Sequence, residues 1–334
     1  MTTATLDAAI LEKLITAASA APSIHNTQPW RYRLDPDTAT IEVRAATERG
    51  LRRTDPSGRA LHVSVGAAVF NLRVAVAHFG WEPVVRLLPR PAEPDFLAAV
   101  RPAGAPPGGE VRRQDMYDAV WRRHSSRLPY SDRPIPPGTL AEIAAAARAE
   151  GAVLELPGPA ETSRILQVTA EAERRAVSDP ERRAESRSWL REGEFDGMPG
   201  AVLGPLDAGG HLPVRDFAAL RAADHQPPAP FERHPVIAVL STEGDSPADW
   251  LRAGQALEHA LLVATSHQVR ASLLHQAVEW SDLRWVLRDP RFGVGHVQML
   301  IRLGYGPEGT ASPRRPARDV LDAGDVLDAG RERF

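Results

Sequence analysis

Two long apolar helical segments of this chain resemble each other, and this repetition constrains the fold more than any other feature of the sequence. Placing Gly66 on Gly254 aligns Ser64–Phe79 with Arg252–His267. Both segments begin with a small-residue turn, become rich in Leu, Val and Ala, and are followed within a few residues by an apolar strand. Self-similarity of this kind indicates two copies of one supersecondary unit.

A second pair of helices supports the same interpretation. Leu11–Ala21 (LEKLITAASAA) aligns with Leu140–Glu150 (LAEIAAAARAE), which preserves the order helix, strand, helix, strand in both copies. The match is weak residue by residue. Because any α+β chain shows some such echoes, a non-repeated α+β fold stays open on this pattern alone.

Hydrophobic periodicity and turn residues predict the remaining elements. Helices are expected at Leu6–Ala21, Asp115–Arg123, Pro136–Arg148 and Thr162–Arg191, the last with a break at Asp179–Pro180; strands are expected at Thr40–Val43, Val84–Leu88, Val153–Leu156, Val236–Ser241, Arg270–His275 and Val297–Leu303. Pro102–Gly109 has the composition of a linker. Glu192–Pro230, rich in Gly and Pro, is expected to be a lid or wrapping excursion.

Composition excludes several classes of protein. The 334 residues include no Cys, so disulfides, thiolate metal sites and cysteine nucleophiles are excluded. A net charge of -3 and dispersed Trp residues do not favour a nucleic-acid partner. There is no signal peptide pattern and no apolar run near the roughly 20 residues that span a bilayer, so we expect a cytoplasmic protein without a membrane partner. No metal-ligand cluster, P-loop, Rossmann glycine motif or nucleophile elbow is present.

The segment Pro22–Trp30 is the most distinctive candidate site. It follows a helix, precedes a strand and reads Pro-Ser-Ile-His-Asn-Thr-Gln-Pro-Trp. Asn26 and Gln28, two residues apart on a loop bounded by prolines, can present donors and acceptors to a planar heterocycle such as a flavin. The alternative is an Asx-type turn between helix and strand, with Trp30 as an anchor in the core.

Two arginine-rich segments are candidate anion sites. In Arg122-Arg123-His124-Ser125-Ser126-Arg127, guanidinium groups flank a hydroxyl within a few residues, and such forks bind phosphate. Lys13 is the only lysine, so anion sites in this chain depend on arginine. Arg314 and Arg315 follow the last predicted strand. The alternatives are a solvated basic turn for the first segment and a charged tail for the second.

These segments together resemble the nitroreductase family of FMN flavoproteins. P-S-x-x-N-x-Q-P-W resembles the family's flavin loop, and the variant APSIHNTQPW is similar to that of the actinobacterial Acg-like branch of dormancy-associated NAD(P)H nitroreductases. The resemblance implies that Pro22, Ser23, His25, Asn26 and Gln28 contact the flavin ring.

The resemblance also assigns roles to the other segments. R-x-S-x-R at Arg123, Ser125 and Arg127 resembles the family's phosphate motif, with Arg122 beside it; the terminal basic residue corresponds to Arg314 first and Arg315 second. Leu274, His275 and Gln276 would approach the reactive edge of the flavin. The family's acidic-glycine pair is not evident there, which puts the N5 environment in doubt, and a plain core strand explains Leu274 equally well.

The two copies are complementary. Relative to the family, the first copy has the flavin loop but begins too late to contain the phosphate motif. The second copy has the phosphate motif, but Glu150–Glu155 stands where its flavin loop would be. The resemblance therefore implies an α+β nitroreductase-like fold in which two degenerate tandem copies, residues 1–112 and 113–334 with a lid at 192–230, form an intramolecular pseudo-dimer with one FMN site. A fused pair of this kind can be complete as a monomer, so the oligomeric state stays open.

The expected function is NAD(P)H-dependent flavin oxidoreduction. Hydride would pass from NAD(P)H to FMN and then to a nitro- or quinone-type small-molecule acceptor by a ping-pong route, with no protein acid, base or nucleophile assigned. The alternatives are a storage protein that shields FMN beneath the lid, and a flavin-free protein that uses the fold for protein contacts. The sequence does not identify the acceptor or distinguish NADH from NADPH.

Overall fold

The computed structural model describes residues 6–104, 111–217, 226–288 and 295–322, and all structural statements below refer to these ranges. The helices are α1 Ala8–Ser19, α2 Arg59–His78, α3 Val111–Arg122, α4 Pro137–Ala149, α5 Pro159–Ser178, α6 Pro180–Ser188, α7 Pro247–Ser266 and α8 Ser281–Val286. The strands are β1 Trp30–Asp35, β2 Thr40–Ala45, β3 Glu82–Leu87, β4 Phe96–Ala103, β5 Val153–Glu155, β6 Val236–Thr242, β7 Arg270–Leu274 and β8 His296–Gly304.

The strands form two four-stranded antiparallel sheets with the same topology. Their orders are β1-β2-β4-β3 and β5-β6-β8-β7. Each copy contains the succession helix, strand, strand, helix, strand, strand, and the second copy adds α5 and α6 between β5 and β6 and α8 between β7 and β8. The register shifts at corresponding places, after Val43 between β2 and β4 and after Leu240 between β6 and β8. The expected duplication is therefore confirmed by the strand order, by the antiparallel strand pairing and by the position of the register shift in each sheet.

The two copies meet along α2 and α7, the most extensive contact between described elements. At the crossing, a Cβ added to Gly66 would lie 2.2 Å from the Leu251 carbonyl oxygen, and one added to Gly254 would lie 2.1 Å from the Val63 carbonyl oxygen. The two helix backbones therefore touch directly at the two glycines that align in sequence. Contact between equivalent residues is the property of a two-fold axis, here a pseudo-two-fold axis within one chain.

Each sheet buries its inner face against the helices of its own half. Leu14, Trp30 and Leu72 belong to the first core, and Ile143, Leu257 and Ile301 belong to the second. Helix α2 is long and apolar enough to cross a membrane by length and composition, but most of it is buried. Its apolar surface is explained by its position between the copies, where it packs on sheet, α1 and α7.

The arm after β8 ties the two halves together. It crosses back to the first sheet, where Tyr32 N donates to Val320 O at 2.7 Å and Asp322 N donates to Tyr32 O at 2.9 Å. Within the second half, the loop after α3 runs beside β7, with Ser126 N donating to Ala271 O at 2.9 Å. The same loop reaches the first half through Arg123, whose Nη2 donates to Ala20 O at 3.1 Å.

Most predicted elements are present, and the long charged helix breaks at Asp179, whose carboxylate caps α6. Strand β4 was not predicted, and it includes the start of the expected linker at Pro102; residues 105–109 of that linker lie outside the described ranges. Helix α8 was also not predicted. The division at 112/113 remains a proposal; it falls in the first turn of α3, a helix that packs on both α2 and α7.

Candidate functional site

One cavity of about 320 Å³ lies where the segments singled out in the sequence converge. It is lined by the loop after α1, the loop after α3, the end of β7, the arm that follows β8 and part of the 192–230 segment. Of the residues predicted to form the site, those that line the cavity are Pro22, Ser23, His25, Asn26, Arg123, Ser125, Arg127, Leu274, His275, Gln276, Arg314 and Arg315. Asn26 and Arg123 thus share one cleft.

Arg122 and Gln28 do not line the cavity. Arg122 is exposed on the last turn of α3. Gln28 is fully buried, with its amide nitrogen donating to Phe195 O at 2.9 Å and its amide oxygen accepting from Arg315 N at 2.8 Å. Neither residue lines the cavity, so a contact of Arg122 or Gln28 with a ligand stays a prediction. Successive residues of a helix point in different directions, so Arg122 faces solvent when Arg123 faces the interior. The side-chain amide of Gln28 is already hydrogen-bonded within the protein through both its nitrogen and its oxygen.

The loop after α1 has a strained backbone. His25, Asn26 and Gln28 have φ angles of 48°, 54° and 49°, in the left-handed region that few residues other than glycine adopt. The Ser23 hydroxyl oxygen accepts from Gln28 N at 2.9 Å and so closes the loop upon itself. Strained backbone of this kind persists where its surroundings enforce it, which is common at ligand sites.

Asn26 joins three parts of the chain. Its amide nitrogen donates to Gly197 O at 2.8 Å and to Pro313 O at 2.9 Å, and its amide oxygen accepts from Arg314 Nη1 at 2.9 Å. Gln28 follows the same pattern, since it also bonds to the 192–230 segment and to the arm. The two amides therefore hold the walls of the cavity together, which the sequence did not indicate.

The loop after α3 brings two guanidinium groups to the cavity. Arg123 is buried, with its Nε 3.3 Å from Glu258 Oε1 and its Nη2 donating to Ala20 O at 3.1 Å. Arg127 donates to Val202 O at 3.0 Å and has no carboxylate partner among the described residues. Burial, with repulsion from Arg215 as a second cause, lowers the pKa of Arg127 to about 10.

The arm after β8 adds Arg314. It donates from Nη2 to Ala20 O at 3.1 Å, so Arg123 and Arg314 share the carbonyl at the carboxyl end of α1, where the helix dipole favours cations. Burial, and then repulsion from Arg123, lowers the pKa of Arg314 to about 9. Neither Arg127 nor Arg314 forms an ion pair with a described carboxylate, although Glu258 attracts Arg314 from beneath the cavity. This arrangement suits an anionic ligand.

Two neutral histidines also line the cavity. Burial is the main reason that the pKa of His25 lies well below its usual value and that the pKa of His275 falls to about 3; nearby arginines lower both further. Arg215 Nη1 lies 3.0 Å from His25 Nε2. Because arginine can only donate, Nε2 must be the acceptor, and we infer that Nδ1 carries the proton of the neutral ring.

Several residues of the site were missed by sequence reasoning. Met198, Arg215 and Phe217 line the cavity from the 192–230 segment. Arg215 is held by both carboxylate oxygens of Glu279 at 2.8 Å, and the Phe217 ring packs edge-on against His25 at 5.5 Å. The segment has no periodicity, so nothing marked these positions. A usable signal was Glu258, an acidic residue in the apolar interior of α7, whose other acidic residue, Asp249, lies in the first turn.

The equivalent position in the second copy is closed. Only a short turn separates α4 from β5, with Gly151 at a φ of 80°. There Glu150 pairs with Arg73 and lies 3.3 Å from His259 Nδ1, while Arg73 also donates to Gln255 Oε1 at 2.9 Å. This place is therefore filled by side chains that form ion pairs and hydrogen bonds with one another. The two copies share a fold, but the arginine-lined cavity of the first has no counterpart among the described residues at this place in the second.

The fold and the cavity define the class: a duplicated α+β protein with one arginine-lined site between its halves. No family model matches the chain. Three proteins of Mycobacterium tuberculosis match nearly its whole length. A "putative NAD(P)H nitroreductase" is 33% identical over 95% of this chain and 92% of its own length. An uncharacterized protein is 31% identical over 96% and 95%, and the nitroreductase named Acg is 28% identical over 93% and 95%.

Solved nitroreductase structures overlap with the chain only loosely. One with bound FMN from Desulfitobacterium hafniense is 15% identical, with a TM-score of 0.39 over 62% of this chain and 97% of that one. The FMN-dependent nitroreductase NfnB of Mycobacterium smegmatis, in complex with NADPH, is 14% identical, with a TM-score of 0.38 over 63% and 97%. We base the assignment on the sequence relatives alone: this chain belongs to the NAD(P)H nitroreductase family that includes the Acg proteins, as its motifs indicated.

Proposed function

We propose that the chain binds one FMN in this cavity and acts as a NAD(P)H-dependent oxidoreductase, with a nitro- or quinone-type small molecule as the electron acceptor. The observation that carries the proposal is the pair Arg127 and Arg314. Both line the cavity, and neither has a carboxylate partner among the described residues. A largely buried positive charge that is hydrogen-bonded but has no ion-pair partner is costly, so these two arginines support a site for an anion such as a phosphate.

The remaining wall suits a planar ring. Pro22, His25 and Leu274 line the cavity with apolar surface and with a neutral imidazole. A volume of about 320 Å³ lies within the range of about 300–1,000 Å³ for small-molecule sites. The residues present therefore fit FMN, with Arg123, Ser125, Arg127 and Arg314 toward its phosphate.

When bound, FMN would supply the hydride-transfer chemistry, as flavins do in other enzymes. The protein's part is to bind and orient the cofactor and to keep water from it. Arg215 and Phe217 fix His25, and the amides of Asn26 and Gln28 fix the loop on which His25 stands. The names of the mycobacterial relatives support NAD(P)H as the reductant.

A second candidate function is flavin storage, and the 192–230 segment favours it. Its carbonyl groups at Phe195, Gly197 and Val202 accept hydrogen bonds from Gln28, Asn26 and Arg127. A segment held at three points on the cavity wall would shield a bound flavin from a second substrate.

An anaerobic titration with NADPH separates the two functions. We expect the protein, loaded with FMN and freed of excess, to lose its flavin absorbance within seconds to minutes of NADPH addition. Dithionite serves as the control for a reducible flavin. Bleaching by dithionite alone would favour storage over the reductase, and a protein that takes up no FMN would contradict both.

A further inference from the structure

Glu258 lies beneath the arginine end of the cavity, beside Arg123, and is not among the residues proposed to contact FMN. It stands on α7, is completely buried, and has Arg123 Nε 3.3 Å from its Oε1. Neither of its carboxylate oxygens accepts a hydrogen bond of normal geometry from the described residues, although Asn71 of α2 lies beside it. A buried carboxylate normally has an ion-pair partner and hydrogen bonds to both of its oxygens. Among the described residues, Glu258 has the ion-pair partner but lacks those hydrogen bonds.

The charged groups around Glu258 come from two elements. Arg123 faces it from the end of α3 and Arg314 from the arm, while α2 contributes only the amide of Asn71. Burial raises the pKa of Glu258 to about 7, against the attraction of both arginines, which lowers it. The carboxylate can therefore exist in either protonation state near neutral pH, depending on what else those arginines contact.

We propose that Glu258 is the internal counter-ion of the phosphate subsite: it neutralises Arg123 while no phosphate is bound, and it takes up one proton from solvent when a phosphate dianion binds beside Arg123 and Arg314. This inference rests on the proposed FMN site. The physical reason is repulsion, because a dianion and a carboxylate that share the same two guanidinium groups in a buried place cannot both stay charged at low cost. Binding of the phosphate and protonation of Glu258 are then linked.

The histidines of the cavity do not obscure this linkage. His25, His124 and His275 all have pKa values lowered by burial, so they remain neutral between pH 7 and 8.5. Arg215 keeps its two carboxylates, Glu173 and Glu279, at the other end of the cavity. Over this range Glu258 titrates at the arginine end, and Arg314, whose pKa is lowered to about 9, begins to lose its charge only toward pH 8.5; the Glu258→Gln variant separates the two.

The test is the pH dependence of FMN affinity, measured by quenching of flavin fluorescence at constant ionic strength. For the wild-type protein we expect the Kd of FMN to rise with pH between 7 and 8.5, approaching tenfold per pH unit for uptake of one full proton. Glu258→Gln should flatten this dependence and bind FMN more tightly than the wild type at pH 8.5. Riboflavin, which lacks the phosphate, should show no such slope.

The matched control is Glu150→Gln, which removes a carboxylate paired with arginine at the equivalent place in the second copy. It should retain the wild-type slope. Calorimetry of FMN binding to the wild type at pH 8, in two buffers of different ionisation enthalpy, counts the protons directly and needs no variant to fold. We expect an uptake of more than about half a proton per FMN. FMN binding without proton uptake, or an equal slope in Glu258→Gln, would overturn this inference and leave the FMN site intact; no FMN binding at any pH would overturn both.

Discussion

Arg122 and Arg123 are neighbours in the sequence with opposite surroundings. Arg122 is exposed at the end of α3, whereas Arg123 is buried between Glu258 and the Ala20 carbonyl. The R-x-S-x-R spacing pointed to Arg123, Ser125 and Arg127, all of which line the cavity. No pattern distinguishes a side chain that faces a ligand from one that binds its own backbone, which is why the roles of Asn26 and Gln28 could not be predicted.

Arg127 allows the phosphate subsite to be tested without leaving a carboxylate unpaired. Replacing Arg127 with Met keeps most of the side-chain length and removes the charge. We expect FMN affinity to fall by about 1.5–3 kcal/mol, the cost of one charge-assisted hydrogen bond. The FMN-free protein should be as stable as the wild type or more so, because a buried charge without a partner is removed.

Arg122→Met is the matched control for that substitution and should leave FMN affinity unchanged. Flavin titration measures the affinity, and urea unfolding of the FMN-free proteins measures the stability. Equal affinities in Arg127→Met and the wild type would place the phosphate elsewhere.

The two neutral histidines predict an acid-sensitive FMN-free protein. In the unfolded chain a histidine titrates near pH 6.5, whereas the folded protein keeps the pKa of His275 near 3 and that of His25 well below its usual value. The unfolded state therefore binds more protons below pH 6.5. Stability that is present above that pH is lost as the pH falls, by up to about 1.4 kcal/mol per pH unit for each histidine.

This acid sensitivity should decrease in His275→Asn. Urea unfolding of the FMN-free protein at pH 7.0 and 5.5 gives the difference in free energy of unfolding for each variant. His234→Asn, at an exposed position, is the control and should match the wild type. If the loss of unfolding free energy between pH 7.0 and 5.5 is the same in the wild type, His275→Asn and His234→Asn, then His275 is charged in the folded state.

At the scale of elements, the helices and strands that could be predicted from the sequence are those with a regular spacing of apolar residues, because one of their faces is buried. Strand β4 lies in the middle of its sheet, and one of its faces is buried along its whole length. Its other face carries Leu97, Ala99 and Ala103 beside the exposed Arg101, so apolar and polar residues do not alternate regularly. Its last two residues, Pro102 and Ala103, fell within the segment predicted as a linker. The described residues of the 192–230 segment contact residues that are distant in sequence. The extent of the segment could therefore be predicted, but not the residues with which it lines the cavity.

The crossing of α2 and α7 depends on two glycines and gives a prediction at this scale. In Gly66→Ala the new methyl group would overlap the Leu251 carbonyl, which is backbone and cannot move aside. We expect the helices to separate, with a loss of about 1–3 kcal/mol in the free energy of unfolding.

Gly138→Ala is the control for this substitution. Gly138 is also in a helix, α4, but nothing lies within 4 Å of the added Cβ, so the change should be neutral or slightly stabilising. Thermal or urea unfolding compares the two variants with the wild type. Equal stability of Gly66→Ala and the wild type would mean that the helices do not cross as described.

At the scale of the whole molecule, duplication explains why one site is complete and the other is closed. The first copy supplies the strained loop, and the second supplies the arginines of the α3 loop and the arm. The loop from the first copy and the arginines from the second line the same cavity. At the equivalent place, after α4 of the second copy, Arg73, Glu150 and His259 lie where a second cavity would be. The complementary loss of motifs could be found in the sequence, but the side chains that close the second place could not.

The number of flavins per chain tests this account most directly. The protein is purified, saturated with FMN and freed of excess, and its flavin absorbance is compared with its protein concentration while its mass in solution is determined. We predict one FMN per chain, whether or not chains associate, because each chain contains both halves of one site. Two FMN per chain, or none after saturation, would contradict the account.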